Sequence, residues 1–281
     1  MWSYLLPPGI NDGGRGELTS QSTCFLRLTM SNSTELLRGH KIIIIGGSSG
    51  IGRSVAAAAL AHGASVVIAS SSSDKVKSAV AWLQQESKGT TVEGQALDIK
   101  DYPALKSFLD QHGPFNHLVI TAGDLAGDVN FPHTEIDDSC KAKFDIRYWA
   151  VMIAAQHVYK NNLIKPGGSI VLTIGNVHYR PYPGWGLISG PAGVVESSTR
   201  GLAIDLKPIR VNTICAGVTD TELFSGFSPE ARASLFKSQQ EKLPVGHVGT
   251  PDDVAEAYIF AMKCTYLTGQ IITVDGGGVL A

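Results

Sequence analysis

The sequence has little charge and no excess of positive charge. Charged residues make up 17% of the 281 residues, and the formal net charge is −2. A chain without a basic field lacks the electrostatic attraction on which nucleic-acid and anionic-membrane binding depend. We therefore expect neither nucleic acid nor a membrane as a partner, and a small molecule in their place.

Cysteines are few and follow no spacing that binds metal. Cys24, Cys140, Cys215 and Cys264 are scattered, without a Cys-x-x-Cys pair. Isolated thiols of this kind are typical of reduced proteins of the cytosol and predict neither a disulfide framework nor a zinc site. The expected localisation is cytoplasmic, and no metal site is predicted.

Long apolar runs are also missing, since about 20 residues are needed to cross a bilayer and none is that long. The first 30 residues mix Pro, Gly, Ser and Asn and lack the basic start of a secretory signal. We expect residues 1–37 to be a disordered extension and residues 38–281 to form one nucleotide-binding domain. Because Met30 precedes a natural lead-in to the first strand, we hypothesise that it is the true start. Mass spectrometry showing residues 1–29 in native protein would refute this.

Predicted strands and helices alternate along the rest of the chain. Strands are predicted at 41–45, 65–69, 90–97, 117–121, 169–174 and 209–215. Helices are predicted at 53–62, 74–86, 101–112, 134–160 and 190–206. This alternation indicates parallel strands joined by right-handed crossovers. The predicted fold is a single Rossmann-like α/β domain, a doubly wound parallel sheet of about seven strands flanked by helices.

A glycine-rich turn follows the first strand directly. Gly46, Gly50 and Gly52 stand between a buried β-branched run and an alanine-rich helix. Such a turn lets the backbone approach a pyrophosphate, while the helix N-terminus supplies N–H groups and a positive dipole. A tight strand-to-helix turn without a ligand is the alternative. The position immediately after the first strand favours a dinucleotide.

The second strand ends without the carboxylate that binds both ribose hydroxyls of NAD. Ala69 is followed by four serines, 70–73, so that NADP is favoured and NADPH is preferred over NADH. The serine hydroxyls, with Lys75 and Arg53 nearby, are candidates for holding a 2′-phosphate. A serine run is also common in an ordinary solvated loop.

Five motifs, in order, resemble those of the short-chain dehydrogenase/reductase family over nearly all of residues 38–281. The glycine turn resembles T-G-x-x-x-G-I-G, Leu97-Asp98-Ile99 the adenine-contacting D-[VI], and Thr121-Ala122-Gly123 the family's N-A-G. Ile209-Arg210-Val211-Asn212 with Ala216-Gly217 resembles I-R-V-N…P-G, and the segment 269–277 resembles T-G-Q…V-D-G-G. The residues predicted to bind the cofactor are Gly46, Ser48, Ser49, Gly50, Ile51, Gly52, Arg53, Ser70, Ser71, Ser72, Asp98, Ile99, Thr121, Ala122, Gly123, Gly217 and Thr219.

The same resemblance shows which catalytic side chains are missing. In that family a Tyr transfers the proton, a Lys four residues later lowers its pKa, and a Ser polarises the carbonyl. The aligned positions hold Ile188, Ala192 and Gly175, and Arg147 stands at the family's Asn. Carbonyl reduction requires a proton for the developing alkoxide, whereas an iminium ion accepts hydride without one. A pocket without Tyr and Lys therefore favours reduction of an imine or iminium.

An aromatic, proline-rich loop follows the predicted fifth strand. Its segment Pro181-Tyr182-Pro183-Gly184-Trp185, together with Arg147, resembles the bifunctional reductase/Diels–Alderases of fungal prenylated indole alkaloid pathways. That group carries P-D-P-G-W, in which the Asp pairs with the arginine across the substrate. Because Tyr182 replaces the Asp, the resemblance favours NADPH-dependent reduction over cycloaddition.

The candidate catalytic residues are Arg147 and four residues of this loop. Arg147 is expected either to anchor substrate or phosphate or to form a salt bridge at a helix interface. His178 and Tyr179 are candidate proton donors, although a loop histidine is often simply solvated. Tyr182 and Trp185 are expected either to stack on a flat aromatic substrate or to cap the core.

The leading hypothesis is an NADP(H)-dependent oxidoreductase of fungal secondary metabolism that reduces an imine, iminium or other activated acceptor. Its partner is a small molecule, expected to be a polycyclic or aromatic natural product. A non-redox cyclase or isomerase that keeps NADP as a structural part is one alternative, and a catalytically dead subunit is another. The long predicted helices resemble those with which the family forms dimers and tetramers, so a homodimer or homotetramer is expected.

Overall fold

The computed structural model describes residues 36–87, 89–123 and 129–281. The predicted disordered extension and the predicted start at Met30 fall on residues outside these ranges. Only residues 36 and 37 of the extension are described. Leu37 is fully buried and packs in a core cluster with Ile42 and Leu60. The folded part therefore begins before the predicted boundary at residue 38.

The described residues form one parallel sheet of seven strands. Its order is β3-β2-β1-β4-β5-β6-β7. The strands are β1 Lys41–Ile45, β2 Ser65–Ser70, β3 Val92–Ala96, β4 Phe115–Ile120, β5 Ile164–Gly175, β6 Arg210–Ala216 and β7 Ile271–Val274. The predicted fold class is confirmed, and each of the six predicted strands is present.

Eight α-helices flank this sheet in the described ranges. They are α1 Gly50–Ala61, α2 Ser73–Glu86, α3 Tyr102–His112, α4 Asp138–Phe144, α5 Ala150–Lys160, α6 Gly186–Asp205, α7 Pro229–Lys242 and α8 Pro251–Lys263. None of them is long and apolar enough to cross a membrane. The sequence analysis did not predict α7 or α8.

The helix predicted near 134–160 is present as one helical stretch from Asp138 to Lys160, which begins later than predicted and changes its type along its length. Asp137 accepts hydrogen bonds from the N–H groups of Ser139 and Cys140 and so begins α4 at Asp138. A π-helical turn, Asp145–Trp149, then separates α4 from α5. An extra residue in one turn leaves little trace in the hydrophobic period, and such turns are frequent at functional sites. Here the turn carries Arg147.

The unbroken isoleucine run of β1 fits a sheet that is covered on both faces. Ile43 packs in one core cluster with Phe108, whereas Ile42 packs in a second cluster with Tyr258. Successive side chains of a strand point to opposite faces, so a strand buried on both faces has no polar alternation. Burial of each isoleucine contributes about 1.5–3 kcal/mol.

The strand order reverses between β1 and β4, and this reversal places the site. From β1 the chain proceeds outward to β2 and β3, and then returns to build β4, β5, β6 and β7 on the other side. Crossover connections leave in opposite directions at such a point, which opens a crevice beyond the carboxyl ends of the strands.

Candidate functional site

A cleft of about 630 Å³ lies at this crevice, above the carboxyl ends of β1, β4, β5 and β6. It is lined by the glycine turn, the ends of β2 and β5 and the segments that follow β3, β4 and β6. All of the predicted cofactor residues except Arg53 and Ser72 line it. The structure thus brings together residues between 46 and 219 that the sequence analysis assigned to one site.

The glycines of the turn allow a close approach of the backbone. Gly46 and Gly50 have φ angles of +96° and +47°, in the region that favours glycine. Ser49 is the N-cap residue of α1, and its side chain makes no capping hydrogen bond. The first turn of α1 therefore keeps backbone donors and the positive end of a helix dipole for an anion.

Two of the predicted cofactor residues, Ser72 and Arg53, lie outside the cleft lining. The Ser72 hydroxyl accepts a hydrogen bond from the Lys75 N–H at 3.3 Å and caps the start of α2. Arg53 Nη2 donates to Glu222 Oε1 at 2.8 Å, and its guanidinium carbon lies 5.4 Å from the centre of the Trp82 ring. Both residues are adjacent to the cleft but outside its lining: the Ser72 hydroxyl caps α2, and the Arg53 guanidinium contacts Glu222, which lines the cleft. Lys75 does line the cleft, as do Ser70 and Ser71.

A carboxylate occupies the start of α1. The Gly50 N–H donates to Glu222 Oε2 at 2.8 Å, so that Glu222 joins both the turn and Arg53. Partial burial raises the pKa of Glu222, but the hydrogen bonds and the charge of Arg53 outweigh it and lower the pKa below its ordinary value. Glu222 was not among the predicted site residues, although it follows Thr219 within the segment after Ala216-Gly217.

Arg147 lines the far end of the cleft. Its Nη1 donates to the carbonyl oxygen of Thr173 at 3.4 Å, and a Cβ on Gly123 would lie 2.6 Å from its guanidinium carbon. The side chain thus spans the carboxyl ends of β4 and β5. A guanidinium stays charged at all working pH values, so it can bind an anionic or carbonyl oxygen but cannot supply a proton.

Two hydrogen-bonded hydroxyl groups lie at the residue that Arg147 contacts. Thr173 Oγ1 donates to the carbonyl oxygen of Ile120 at 2.8 Å and lies 2.7 Å from the Tyr258 hydroxyl. Because Thr173 has one hydroxyl proton, Tyr258 is the donor in the second bond. Complete burial raises the pKa of Tyr258. This tyrosine therefore keeps its proton and ties α8 to the sheet.

The predicted catalytic residues of the loop after β5 do not line the cleft. His178 Nε2 lies 2.6 Å from Glu196 Oε2, and His178 Nδ1 lies 3.1 Å from the carbonyl oxygen of Gly175. The ring centres of His178 and Tyr179 are 3.7 Å apart. Burial raises the pKa of Glu196, but hydrogen bonds from Arg200 and His178 outweigh it and lower the pKa. The histidine is held by a carboxylate and is not directed into the cleft.

Tyr182 and Trp185 pack with each other and with α7. The Tyr182 hydroxyl accepts a hydrogen bond from Gln239 Nε2 at 3.0 Å, and the centres of the Tyr182 and Trp185 rings are 5.0 Å apart. Both residues lie outside the cleft lining. The expected stacking of these rings on a substrate is therefore not preformed in the cleft, and of the five candidate catalytic residues only Arg147 lines it.

Comparison with known proteins assigns the family. A family model described as an SDR-like Rossmann domain matches residues 34–281. The chain is 33% identical over 258 residues to the short-chain dehydrogenase/reductase malC of Malbranchea aurantiaca, covering 88% of this chain and 97% of that protein. It is also 33% identical over 255 residues to the short-chain dehydrogenase/reductase ATR9 of Stachybotrys chlorohalonatus, covering 87% and 98%. The chain belongs to the short-chain dehydrogenase/reductase family.

Solved structures of this family confirm the fold. The reductase/Diels–Alderase MalC from Malbranchea aurantiaca has a TM-score of 0.83 at 31% identity, over 89% of this chain and 100% of that chain. A small-chain dehydrogenase in complex with NADPH has a TM-score of 0.72 at 32% identity, over 86% of this chain and 100% of that chain. The predicted resemblance to the family and to this reductase/Diels–Alderase is confirmed.

The structure shows where this dehydrogenase/reductase places the positions that the resemblance aligned with the family's catalytic residues. Gly175 lines the cleft at the end of β5. Ile188 lies half-buried in the first turn of α6, and Ala192 is buried in the core against the sheet. None of the three side chains carries a proton donor. Among the described residues, no group of three His, Cys, Asp or Glu is placed to hold a metal ion.

The sequence analysis also missed an aromatic wall of the cleft. Phe224 lines the cleft, and its ring centre lies 5.4 Å from that of Phe236 and 5.8 Å from that of Phe227. Both contacts are edge-to-face, the arrangement that aromatic pairs prefer. Phe227 and Phe236 lie outside the cleft lining and hold Phe224 in place by these contacts.

Proposed function

We propose that this protein is an NADP(H)-dependent oxidoreductase of secondary metabolism that reduces an imine, an iminium ion or another activated acceptor. One observation carries the proposal. A cleft lined by the glycine turn and by most of the predicted cofactor residues is combined with catalytic positions that hold Gly175, Ile188 and Ala192, none of which can transfer a proton. The similarity to malC and ATR9 supports membership in a group of fungal pathway enzymes.

The end of β2 supports NADP over NAD. Ser70 and Ser71 line the cleft there and offer hydroxyl groups, and Lys75 adds a positive charge. A 2′-phosphate would be held by this combination, whereas the paired ribose hydroxyls of NAD would lack a carboxylate partner. The similar small-chain dehydrogenase in complex with NADPH supports the same preference.

The residues of the cleft favour an acceptor that needs no proton. A bound reduced nicotinamide supplies hydride. A ketone would become an alkoxide and need an acid, whereas an iminium ion becomes a neutral amine. Arg147 would donate hydrogen bonds to an oxygen atom of the substrate, such as a carbonyl oxygen, and would repel a positively charged group. The iminium nitrogen is therefore expected near Phe224, because an aromatic ring attracts a positive charge.

A non-redox cyclase is the second candidate. The observation in its favour is the similarity to a protein named a reductase/Diels–Alderase, at a TM-score of 0.83. Tyr182 bonds to Gln239 and lies outside the cleft lining, so it does not replace the carboxylate that the resembling motif carries there. Reduction is therefore the better supported of the two.

Nucleotide binding tests the proposal. The full chain is titrated with NADPH and with NADH, following tryptophan fluorescence and confirming by calorimetry. We expect NADPH to bind with a dissociation constant on the order of micromolar and NADH at least about tenfold more weakly, a difference of about 1.4 kcal/mol. Failure to bind either nucleotide would contradict the proposal and favour a non-redox or inactive protein.

A further inference from the structure

We propose that Glu222 determines the affinity for nucleotide, because its carboxylate occupies donors that the pyrophosphate of a nucleotide would take. The contact between Glu222 and Gly50 is defined here as the Glu222–Gly50 contact. The inference rests on the proposed nucleotide-binding function and adds a residue that opposes it.

The geometry of the contact is that of a bound anion. Glu222 Oε2 accepts from the Gly50 N–H at 2.8 Å, and Oε1 accepts from Arg53 Nη2 at 2.8 Å. Gly50 is the first residue of α1, where the helix dipole is equivalent to about half a positive charge. The carboxylate therefore accepts from the Gly50 N–H and lies at the positive end of the helix.

A pyrophosphate and this carboxylate cannot use the Gly50 N–H together. Both are anions that accept hydrogen bonds, and at close range in a half-buried cleft they repel each other. The Glu222 pKa is lowered, so the carboxylate stays ionised at neutral pH. Nucleotide binding at the glycine turn must therefore break the Glu222–Gly50 contact.

The contact is also linked to the substrate side of the cleft. Glu222 begins the short 3₁₀ turn Glu222–Phe224, and the Thr221 hydroxyl accepts from the Leu223 N–H at 3.3 Å. Phe224, at the end of the same turn, is part of the aromatic wall. Glu222 and Phe224 therefore belong to one short turn, which links the Glu222–Gly50 contact to the substrate side of the cleft.

The expected effect is modest. The side chains of Arg53 and Glu222 are 37% and 44% exposed, and ion pairs of that exposure contribute little. A contact that keeps about 70–90% of the molecules closed weakens the apparent affinity by about three- to tenfold. Removing it should strengthen nucleotide binding by the same factor.

Three variants of the full chain test the inference, each titrated with NADPH by calorimetry and checked for folding by thermal unfolding. Glu222→Gln removes the charge, and Glu222→Asp keeps the charge on a side chain one methylene shorter. Glu241→Gln is the matched control, because Glu241 is an exposed carboxylate on α7 outside the cleft lining. We expect Glu222→Gln to bind NADPH about three- to tenfold more tightly than wild type. Glu222→Asp should bind at least about twofold more tightly, and Glu241→Gln should not change.

Each other outcome is informative. If Glu222→Gln binds NADPH no more tightly than wild type does, the inference is overturned and the proposed function is left intact. A gain in Glu222→Gln without any gain in Glu222→Asp also overturns it, because charge repulsion alone would then explain the gain. If none of the four proteins binds NADPH, the proposed function fails as well. Hydrogen exchange at 222–228 adds a second readout, since NADPH should change it in wild type and Glu222→Gln should show the change without nucleotide.

Discussion

The guanidinium group of Arg147 lies against Gly123, in the space that a side chain at residue 123 would need. A Cβ on Gly123 would lie 2.6 Å from the guanidinium carbon. Gly123 follows β4 and Arg147 comes from the π-helical turn, so the contact fixes how these two elements meet at the cleft. A side chain at residue 123 would therefore have to displace the guanidinium group.

The first prediction uses this contact. Gly123→Ala should cost no more than about 1 kcal/mol, because the added methyl group meets only the end of the flexible Arg147 side chain, which can move aside. The same substitution in an Arg147→Ala background should cost much less, since the overlapping side chain is gone. Urea unfolding of the four proteins gives the coupling free energy. An equal cost of Gly123→Ala in both backgrounds would show that the contact does not limit residue 123.

A second prediction concerns the choice of nucleotide. Ser70→Asp places a carboxylate at the end of β2, where it repels a 2′-phosphate and accepts hydrogen bonds from ribose hydroxyls. We expect the affinity for NADPH to fall by about tenfold or more and the affinity for NADH to rise, as measured by calorimetry.

Ser72→Asp is the matched control for that variant. It adds the same charge two residues away, outside the cleft lining, and Asp preserves the capping of α2. The ratio of NADPH to NADH affinity should change little. Equal changes in the two variants would mean that the 2′-phosphate is bound elsewhere.

A third prediction is a loss of stability at mildly acidic pH. His117 is fully buried, with Nδ1 2.8 Å from the Ser169 hydroxyl and Nε2 3.1 Å from His40 Nδ1. Burial, with the charges of His40 and Arg210, lowers the pKa of His117 from 6.5 to about 3. Between these values the unfolded chain binds a proton that the folded protein does not. The free energy of unfolding should therefore fall below about pH 6.5, by up to about 1.4 kcal/mol per pH unit.

Urea unfolding at pH 7.5, 6.5 and 5.5 measures this dependence. His117→Asn removes the titrating ring, so the variant should lose less stability between pH 6.5 and 5.5 than wild type does. His133→Asn is the control, because His133 is an exposed histidine and its removal should leave the slope unchanged. If the free energy of unfolding fell equally with pH in wild type and His117→Asn, His117 would not be the source of the pH dependence.

Six of the seven strands could be predicted from the sequence because their signal is local; β7 was not predicted. Lys41–Ile45 was predicted with its observed bounds, since a β-branched run with no polar face fits only a strand buried on both sides. The π-helical turn between α4 and α5 could not be predicted, because it inserts one residue without Gly or Pro. Helix α7 was missed for a different reason: it is polar and mostly exposed, so it has no apolar stripe.

The meeting of the predicted cofactor residues at one cleft could also be predicted, whereas the contacts within the cleft could not. The glycine turn and the ends of β2 and β4 are short motifs whose place in the fold follows from the strand order. The Glu222–Gly50 contact joins residues 172 positions apart, and no local pattern indicates it. His178 and Tyr182 were predicted to act in the site, but Glu196 and Gln239 hold them outside its lining. Partners contributed by distant helices decide such side-chain directions.

Deuteride transfer tests the central claim most directly. NADPH deuterated at the transferable position of the nicotinamide is incubated with the full chain and a panel of cyclic iminium ions, each paired with the ketone of the same ring. We predict deuterium at the former iminium carbon of the amine product, and ketone reduction at least about a hundredfold slower because the acid is missing. Ketone reduction at a comparable rate, or product that forms without deuterium, would contradict the claim.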